Sequence, residues 1–264
     1  MNVINFVRNV RKKFCVQIFS GAGFFVILEE NFWGERMNFL KKVFGALVYF
    51  LFPPRCPVCR EMVEERYRLC AECAEKILRA DFFDKPPAPL DKVLRVTKYR
   101  DGSQSLLHKL KFDNNLDVLP ALKKILDSVA DRADILSLLG GVDLAVPVPL
   151  HDERFKERGF NQTEKIFEEF LAKKNIPLKN ILIRRRATPK LYKLGKAERV
   201  KILSGAFAAV EKINLRGKKI LIVDDIFTTG TTVSECAKVL KSLGAEKIFV
   251  MALASDFGEN FIKK

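Results

Sequence analysis

Thirteen residues, Ile220-Leu-Ile-Val-Asp-Asp-Ile-Phe-Thr-Thr-Gly-Thr-Thr232, restrict this chain more than any other stretch of its length. The apolar run from Lys218 to Val223 after a basic start reads as a central parallel strand buried on both faces. The strand is expected to end at Asp224-Asp225. A turn of small and hydroxyl-bearing residues, Thr228-Thr229-Gly230-Thr231-Thr232, then opens a helix over Thr231 to Leu243. Val233, Cys236, Ala237, Leu240 and Leu243 share its buried face, and Gly244 ends it. Ligands of open α/β sheets bind beyond the carboxyl ends of such strands.

The chemistry of the turn narrows the ligand. A helix start offers unpaired N–H groups and the positive end of a dipole, which suits a phosphate. Gly230 lets backbone approach closely, and the threonine hydroxyls add donors to phosphate oxygens. The two carboxylates repel a phosphate but accept hydrogen bonds from neighbouring sugar hydroxyls. Donors and acceptors placed a few residues apart therefore describe a grip for a ribose 5-phosphate. A Walker B reading of the acid pair lacks its partner, since no Gly-x4-Gly-Lys-Ser/Thr occurs. A phosphoacceptor reading leaves the threonine-rich helix start unexplained. Threonine capping alone is common but does not require the whole pattern.

The pattern resembles the signature of type I phosphoribosyltransferases. That resemblance implies that Asp224 and Asp225 hold the ribose 2′- and 3′-hydroxyls in a catalytic role, and that Thr228, Thr229, Gly230, Thr231 and Thr232 hold the 5′-phosphate. The implied substrate is 5-phosphoribosyl diphosphate with Mg²⁺, whose positive charge offsets the growing negative charge of the leaving diphosphate.

A second signal is independent of the first. Cys56-Pro-Val-Cys59 and Cys70-Ala-Glu-Cys73 each put two thiolates on one metal edge, and two such loops close a tetrahedron. Four sulfurs leave no open position, so the expected Zn²⁺ is structural. This clustering fits a reducing, cytoplasmic compartment better than a disulfide framework. Arg55, Arg60, Arg66, Arg68 and Tyr67 around it form either a solvated face or a nucleic-acid platform.

The chain has 264 residues and a formal charge of +15. The surplus favours polyanionic partners and says nothing about fold. Between Lys179 and Lys201 nine basic residues stand against one acid, Glu198. At the start, Arg8, Arg11, Lys12 and Lys13 precede an apolar run from Phe14 to Leu28. This is like a signal peptide without a cleavage site, and it is short for a span. Met37 is a plausible bacterial start, so residues 1–36 are expected to be a non-native or disordered extension, with a membrane anchor as the remaining alternative. No stable transmembrane span is expected. Val43 to Phe52 is expected to be a helix packed on the cysteine module, which occupies 37–84 with it. Lys85-Pro-Pro-Ala-Pro-Leu90 is a Pro-rich linker, and 91–264 forms the α/β domain. There, Lys92 to Tyr99, Asp143 to Val148, Gly205 to Val210 and Lys247 to Ala254 read as further strands. Ser103 to Phe112, Val118 to Ala130 and Thr163 to Lys174 read as helices. The alternation argues for a parallel α/β sheet with flanking helices. His108 and His151 read as surface or packing residues.

Together the two parts resemble the ComF family of competence-associated proteins, which includes the GntX proteins. The likeness runs from about Leu51 to Ser255. It is carried by Leu51-Phe-Pro-Pro-Arg-Cys-Pro-Val-Cys59, Lys109-Leu-Lys-Phe112, Val146-Pro-Val-Pro149, Arg158-Gly-Phe-Asn-Gln162 and Glu198-Arg199 before Gly205-Ala-Phe207. The resemblance implies a pyrophosphate loop at Pro147 and Val148. It places Arg158, Asn161 and Gln162 at the next helix start facing the site, and Lys109 and Lys111 within reach of the diphosphate. A mobile cover is implied over Arg184 to Arg199. A phosphoribosyl transfer to a nitrogen acceptor in natural competence follows, with single-stranded DNA and a helicase-like ATPase as partners. Leu191 and Ile202 stand where the family carries Gln and Asn. They raise the alternative of a catalytically inactive adaptor that binds phosphoribosyl diphosphate or DNA.

Overall fold

A computed structural model describes residues 43–186, 196–211 and 213–256. The readings of residues 1–36 and of Leu191 lie outside the described residues. The chain divides into two compact units, 1–53 and 54–264.

In the first unit, residues 43–51 form helix α1. Within it, Phe44 is 68% and Phe50 81% exposed. No helix among the described residues is long and apolar enough to cross a membrane.

The second unit is built on a five-stranded sheet in the order β1-β2-β7-β6-β3. The strands are β1 (Leu78–Phe82), β2 (Lys92–Lys98), β3 (Leu144–Pro147), β6 (Lys219–Phe227) and β7 (Lys247–Ser255). β2, β7, β6 and β3 run parallel, and β1 adds an antiparallel edge. That edge strand, unforeseen in sequence, precedes the Pro-rich stretch, so the chain leaves the cysteine module already paired to the sheet.

Strand alternation sorts the core into two layers. Leu221 and Val223 of β6, with Leu94, Val96, Met251 and Leu253, face helices α3 (Asp101–Phe112), α4 (Leu119–Asp127), α5 (Ala133–Leu139) and α7 (Gln162–Lys173). Ile220 and Ile222, with Val93, Val146, Val250 and Ala252, face α9 (Thr231–Ser242) and a small sheet. Ile166, Phe167, Phe170 and Leu171 form the buried stripe of α7, as the period of 3.6 requires. Cys56, Leu69, Cys73 and Ile77 belong to the first layer. The cysteine module, with its helix α2 (Ala71–Ile77), therefore shares the main core.

Two strand readings are corrected. β6 does not end at Asp224-Asp225 but runs to Phe227, because β7 continues beside it and pairs Asp224 with Ala252 and Phe227 with Ser255. The strand read at Gly205 to Val210 is β5 (Phe207–Ala209), and it lies outside the main sheet. It pairs antiparallel with β4 (Leu182–Arg184). Two further helices, α6 (Asp152–Arg158) and α8 (Lys196–Leu203), flank β3 and the small sheet in sequence.

Candidate functional site

The carboxyl end of β6 carries Asp224 and Asp225, both buried. Their order is set locally, since the Asp225 N–H donates to Asp224 Oδ1 at 2.9 Å. Burial, and then the neighbouring Asp225, raise the Asp224 carboxyl well above the usual range, and Lys111 opposes the rise. Asp225 is held from two helices. Lys111 Nζ of α3 lies 2.9 Å from Oδ1, and Gln162 Nε2 of α7 donates to Oδ2 at 3.0 Å. Arg158 NH1 in turn donates to Gln162 Oε1 at 2.9 Å. Burial lowers the Arg158 guanidinium, which nonetheless stays a cation. Lys111, Arg158, Gln162, Asp224 and Asp225 thus form one connected polar group.

Asn161 spends its side chain within the protein. Its Oδ1 caps α7 by accepting the Thr163 N–H at 3.0 Å, and its Nδ2 donates to the Val148 carbonyl at 3.1 Å. Val148 N–H is in turn tied to the Val223 carbonyl at 3.0 Å. The turn after Pro147 is therefore fastened to both β6 and the start of α7.

The helix start beyond the acids is ordered by packing. Gly230 caps α9 with φ of +75°. A Cβ at Gly230 would sit 2.7 Å from Phe227 Cζ and 2.8 Å from Pro87 Cγ. Glycine is thus required here by the protein's own contacts, beyond any approach of a ligand. Thr229 and Thr231 hydroxyls pair at 2.9 Å across it. α9 has twelve residues and a full dipole at this end.

The resemblance puts Lys109 within reach of the diphosphate, whereas the structure engages it elsewhere. Lys109 Nζ donates to the Pro57 carbonyl in the cysteine module at 2.9 Å. Arg184, read as part of a mobile cover, is fixed and buried in β4, with its guanidinium 5.6 Å above the Phe207 ring. Burial, and then Arg154, push it down to about 10. Ile202 lies on α8. His151 caps α6, accepting the Glu153 N–H at 3.3 Å. Tyr99 was missed. It follows β2 at the same edge of the sheet, and burial and then the charges of Asp225 and Asp256 raise its phenol. A tyrosine at a strand's carboxyl end was the available signal.

The four cysteine sulfurs of Cys56, Cys59, Cys70 and Cys73 lie within 4.8 Å of one another. Cys59 Sγ and Cys70 Sγ are 3.6 Å apart. Zinc–sulfur bonds of about 2.3 Å at tetrahedral angles set sulfurs ~3.8 Å apart, so the cluster fits zinc. Cys70 also caps α2, accepting the Cys73 N–H. Burial alone would raise the Cys56 thiol, but backbone N–H groups of Cys70, Cys59 and Val58 outweigh it and hold it at about 7.

A parallel sheet with acids and a threonine-rich helix start at its carboxyl edge, joined to a four-sulfur site, defines a phosphoribosyltransferase-like protein with a structural zinc ribbon. Residues 47–83 match the double zinc ribbon domain family, and residues 167–258 match the phosphoribosyl transferase domain family. The matched ribbon stretch contains four cysteines, enough for one metal ion. The chain is 30% identical over 204 residues to the DNA utilization protein YhgH of Salmonella typhimurium, covering 75% of this chain and 88% of that one. It is 29% identical over 203 residues to Competence protein F of Haemophilus influenzae (76% and 84% covered). It is 27% identical over 207 residues to Competence protein ComFC of Bacillus subtilis (78% and 75%). With these relatives the chain belongs to the ComF/GntX family. Among solved structures, the glutamine phosphoribosylpyrophosphate amidotransferase of B. subtilis aligns with 21% identity, 56% of this chain, 30% of that chain and a TM-score of 0.36.

Proposed function

We propose that this protein binds 5-phosphoribosyl diphosphate with Mg²⁺ and transfers the phosphoribosyl group to a nitrogen acceptor, in a cytoplasmic role linked to natural competence and DNA uptake. One observation carries the reading. The buried Asp224–Asp225 pair lies near the carboxyl end of β6, and just Ile226 and Phe227 separate it from the Thr228–Thr232 helix start. Asp224 and Asp225 accept the ribose hydroxyls. Thr228, Thr229, Gly230, Thr231 and Thr232 surround the 5′-phosphate with N–H and hydroxyl donors. The turn at Pro147 and Val148 receives the diphosphate, held in place by Asn161, with Lys111, Arg158 and Gln162 alongside. The carboxylate pair and the diphosphate together offer the hard oxygen ligands that Mg²⁺ prefers. When bound, Mg²⁺ neutralises charge on the leaving diphosphate. In the transfer, the C1–oxygen bond breaks with its electron pair going to diphosphate, a C1–nitrogen bond forms, and the acceptor loses a proton. We assign the zinc-ribbon module to 37–84, the Pro-rich connection to 85–90 and the ligand domain to 91–264.

Calorimetric titration of the zinc-loaded protein with phosphoribosyl diphosphate and Mg²⁺ tests this. Binding is expected in the wild type and lost in Asp224→Asn/Asp225→Asn. A folded wild type that takes up no ligand overturns it.

A second reading is favoured by one feature: both oxygens of Asp225 are already engaged by Lys111 and Gln162. In that reading the protein is an inactive adaptor that binds the phosphosugar or single-stranded DNA and acts with a helicase-like ATPase. The names of the relatives, competence and DNA utilization, are compatible with either. Ligand binding without pyrophosphate release, together with DNA affinity that falls steeply with salt, would favour the adaptor.

A further inference from the structure

Helix α3 joins the zinc ribbon to the acid pair. Lys109 donates to the Pro57 carbonyl, between the ligands Cys56 and Cys59, at 2.9 Å. Two residues on, Lys111 reaches Asp225 at 2.9 Å. Two residues on an α-helix are separated by about 200°, so these lysines leave nearly opposite faces. The helix is thus clamped between the zinc loop and the end of β6. Its first turn is seated as well: a Cβ at Gly102 would stand 2.6 Å from Ile77 Cδ1 and 2.8 Å from Val58 Cγ2. Val58 belongs to the same zinc loop. Leu106, Leu107 and Leu110 are fully buried along the shaft, so α3 has little freedom to roll without disturbing the core.

We infer that Lys109 is a positioning residue for the site, fixing α3 against the zinc loop so that Lys111 meets Asp225, and that zinc retention and the state of Asp225 are energetically coupled through this helix. Any roll or slide that breaks the Lys109 contact moves Lys111 by the same rotation. Coupling between sites is reciprocal. Loss of the Lys111–Asp225 contact should therefore loosen the zinc loop, although Asp225 touches none of its cysteines. The catalytic consequence rests on the phosphoribosyl reading; the coupling itself does not.

The test is the rate at which the zinc-loaded full chain gives up zinc to a chromogenic chelator, without ligand. Wild type, Lys109→Met, Lys109→Arg, Asp225→Asn and the Lys109→Met/Asp225→Asn double variant are compared, each checked for a folded circular dichroism spectrum. Lys109→Gln replaces Lys109→Met if the latter fails to load zinc. Asp225→Asn is expected to speed release by about fivefold or more. Lys109→Met should do the same, and the double variant should be no faster than the faster single one. Lys109→Arg should restore wild-type behaviour. If Asp225→Asn stays within about twofold of wild type, or the two effects simply multiply, the coupling is absent and Lys109 serves the zinc loop alone. A parallel arm adds phosphoribosyl diphosphate and Mg²⁺. Calorimetric binding that slows zinc release in wild type but not in Lys109→Met extends the coupling to the ligand. Absence of binding refutes the ligand reading, and the ligand-free cycle still decides the coupling.

Discussion

Lys111 and Gln162 hold the two oxygens of the Asp225 carboxylate from different helices, at 2.9 Å and 3.0 Å. The Lys111–Asp225 pair is largely withdrawn from solvent, with side chains 19% and 5% exposed. Removing one partner of a buried pair leaves the other charge uncompensated. Lys111→Met is expected to cost about 3 kcal/mol in urea unfolding at neutral pH. Lys111→Met/Asp225→Asn should recover a clear part of that loss, because no buried charge is then orphaned at Asp225. A double variant as unstable as the sum of the singles would mean the pair contributes by packing alone.

Asp224 makes a prediction of opposite sign to that for an acid held by a salt bridge. Its folded carboxyl is raised, first by burial and then by Asp225, whereas an unfolded Asp titrates near about 3.9. The folded state therefore holds its proton more tightly. The associated stability is present below about pH 4 and is lost as pH rises through the raised value. Asp224→Asn keeps the acceptor for the Asp225 N–H and removes the ionisation. The variant should gain stability relative to wild type as pH rises from about 4 through the raised value, while losing ligand binding. Parallel stability curves for the two proteins would rule this out.

What the sequence made legible follows from range. β6, α7 and α9 declare themselves through local period, and the carboxyl edge of β6 then locates the acids and threonines. α6 was missed because none of its residues is buried, which leaves no apolar period to read. β1 alternates Leu78, Ala80 and Phe82 with Arg79 and Asp81, yet it sits next to the cysteines and was absorbed into their module. Lys109 and Lys111 share one short motif and looked equivalent. Helix rotation sends them to different sites. Gln162 and Asp225 lie 63 positions apart, so their contact depends on how α7 docks on the sheet, and no local pattern encodes it.

Gly159 and Gly230 separate backbone strain from crowding. Both have positive φ, +77° and +75°, but a Cβ at Gly159 meets nothing within 4 Å while one at Gly230 meets Phe227 and Pro87. Gly159→Ala is expected to cost roughly 1 kcal/mol, the left-handed penalty alone. Gly230→Ala adds overpacking and should cost about 3 kcal/mol in the same denaturant series. Equal losses would show that the loop between Phe227 and α9 yields to a methyl group.

The zinc site should behave as part of the main core. Cys56 and Cys73 pack with Leu69 and Ile77 in the cluster that also holds Leu94 and Phe167. Zinc binding free energy is therefore shared with the whole second unit. Metal analysis should give one zinc per chain, unchanged in Cys236→Ala, since Cys236 is buried in α9 and, among the described residues, belongs to no cysteine cluster. Burial, and then Asp224, raise that thiol well above its usual range, so it should resist thiol reagents until the protein unfolds. Cys59→Ser, or chelation of the wild type, should lower the temperature of the main calorimetric transition. An independent ribbon would give a different trace. A small early transition would disappear on chelation while the main one stayed in place, and the shared core would then carry no coupling between metal and sheet.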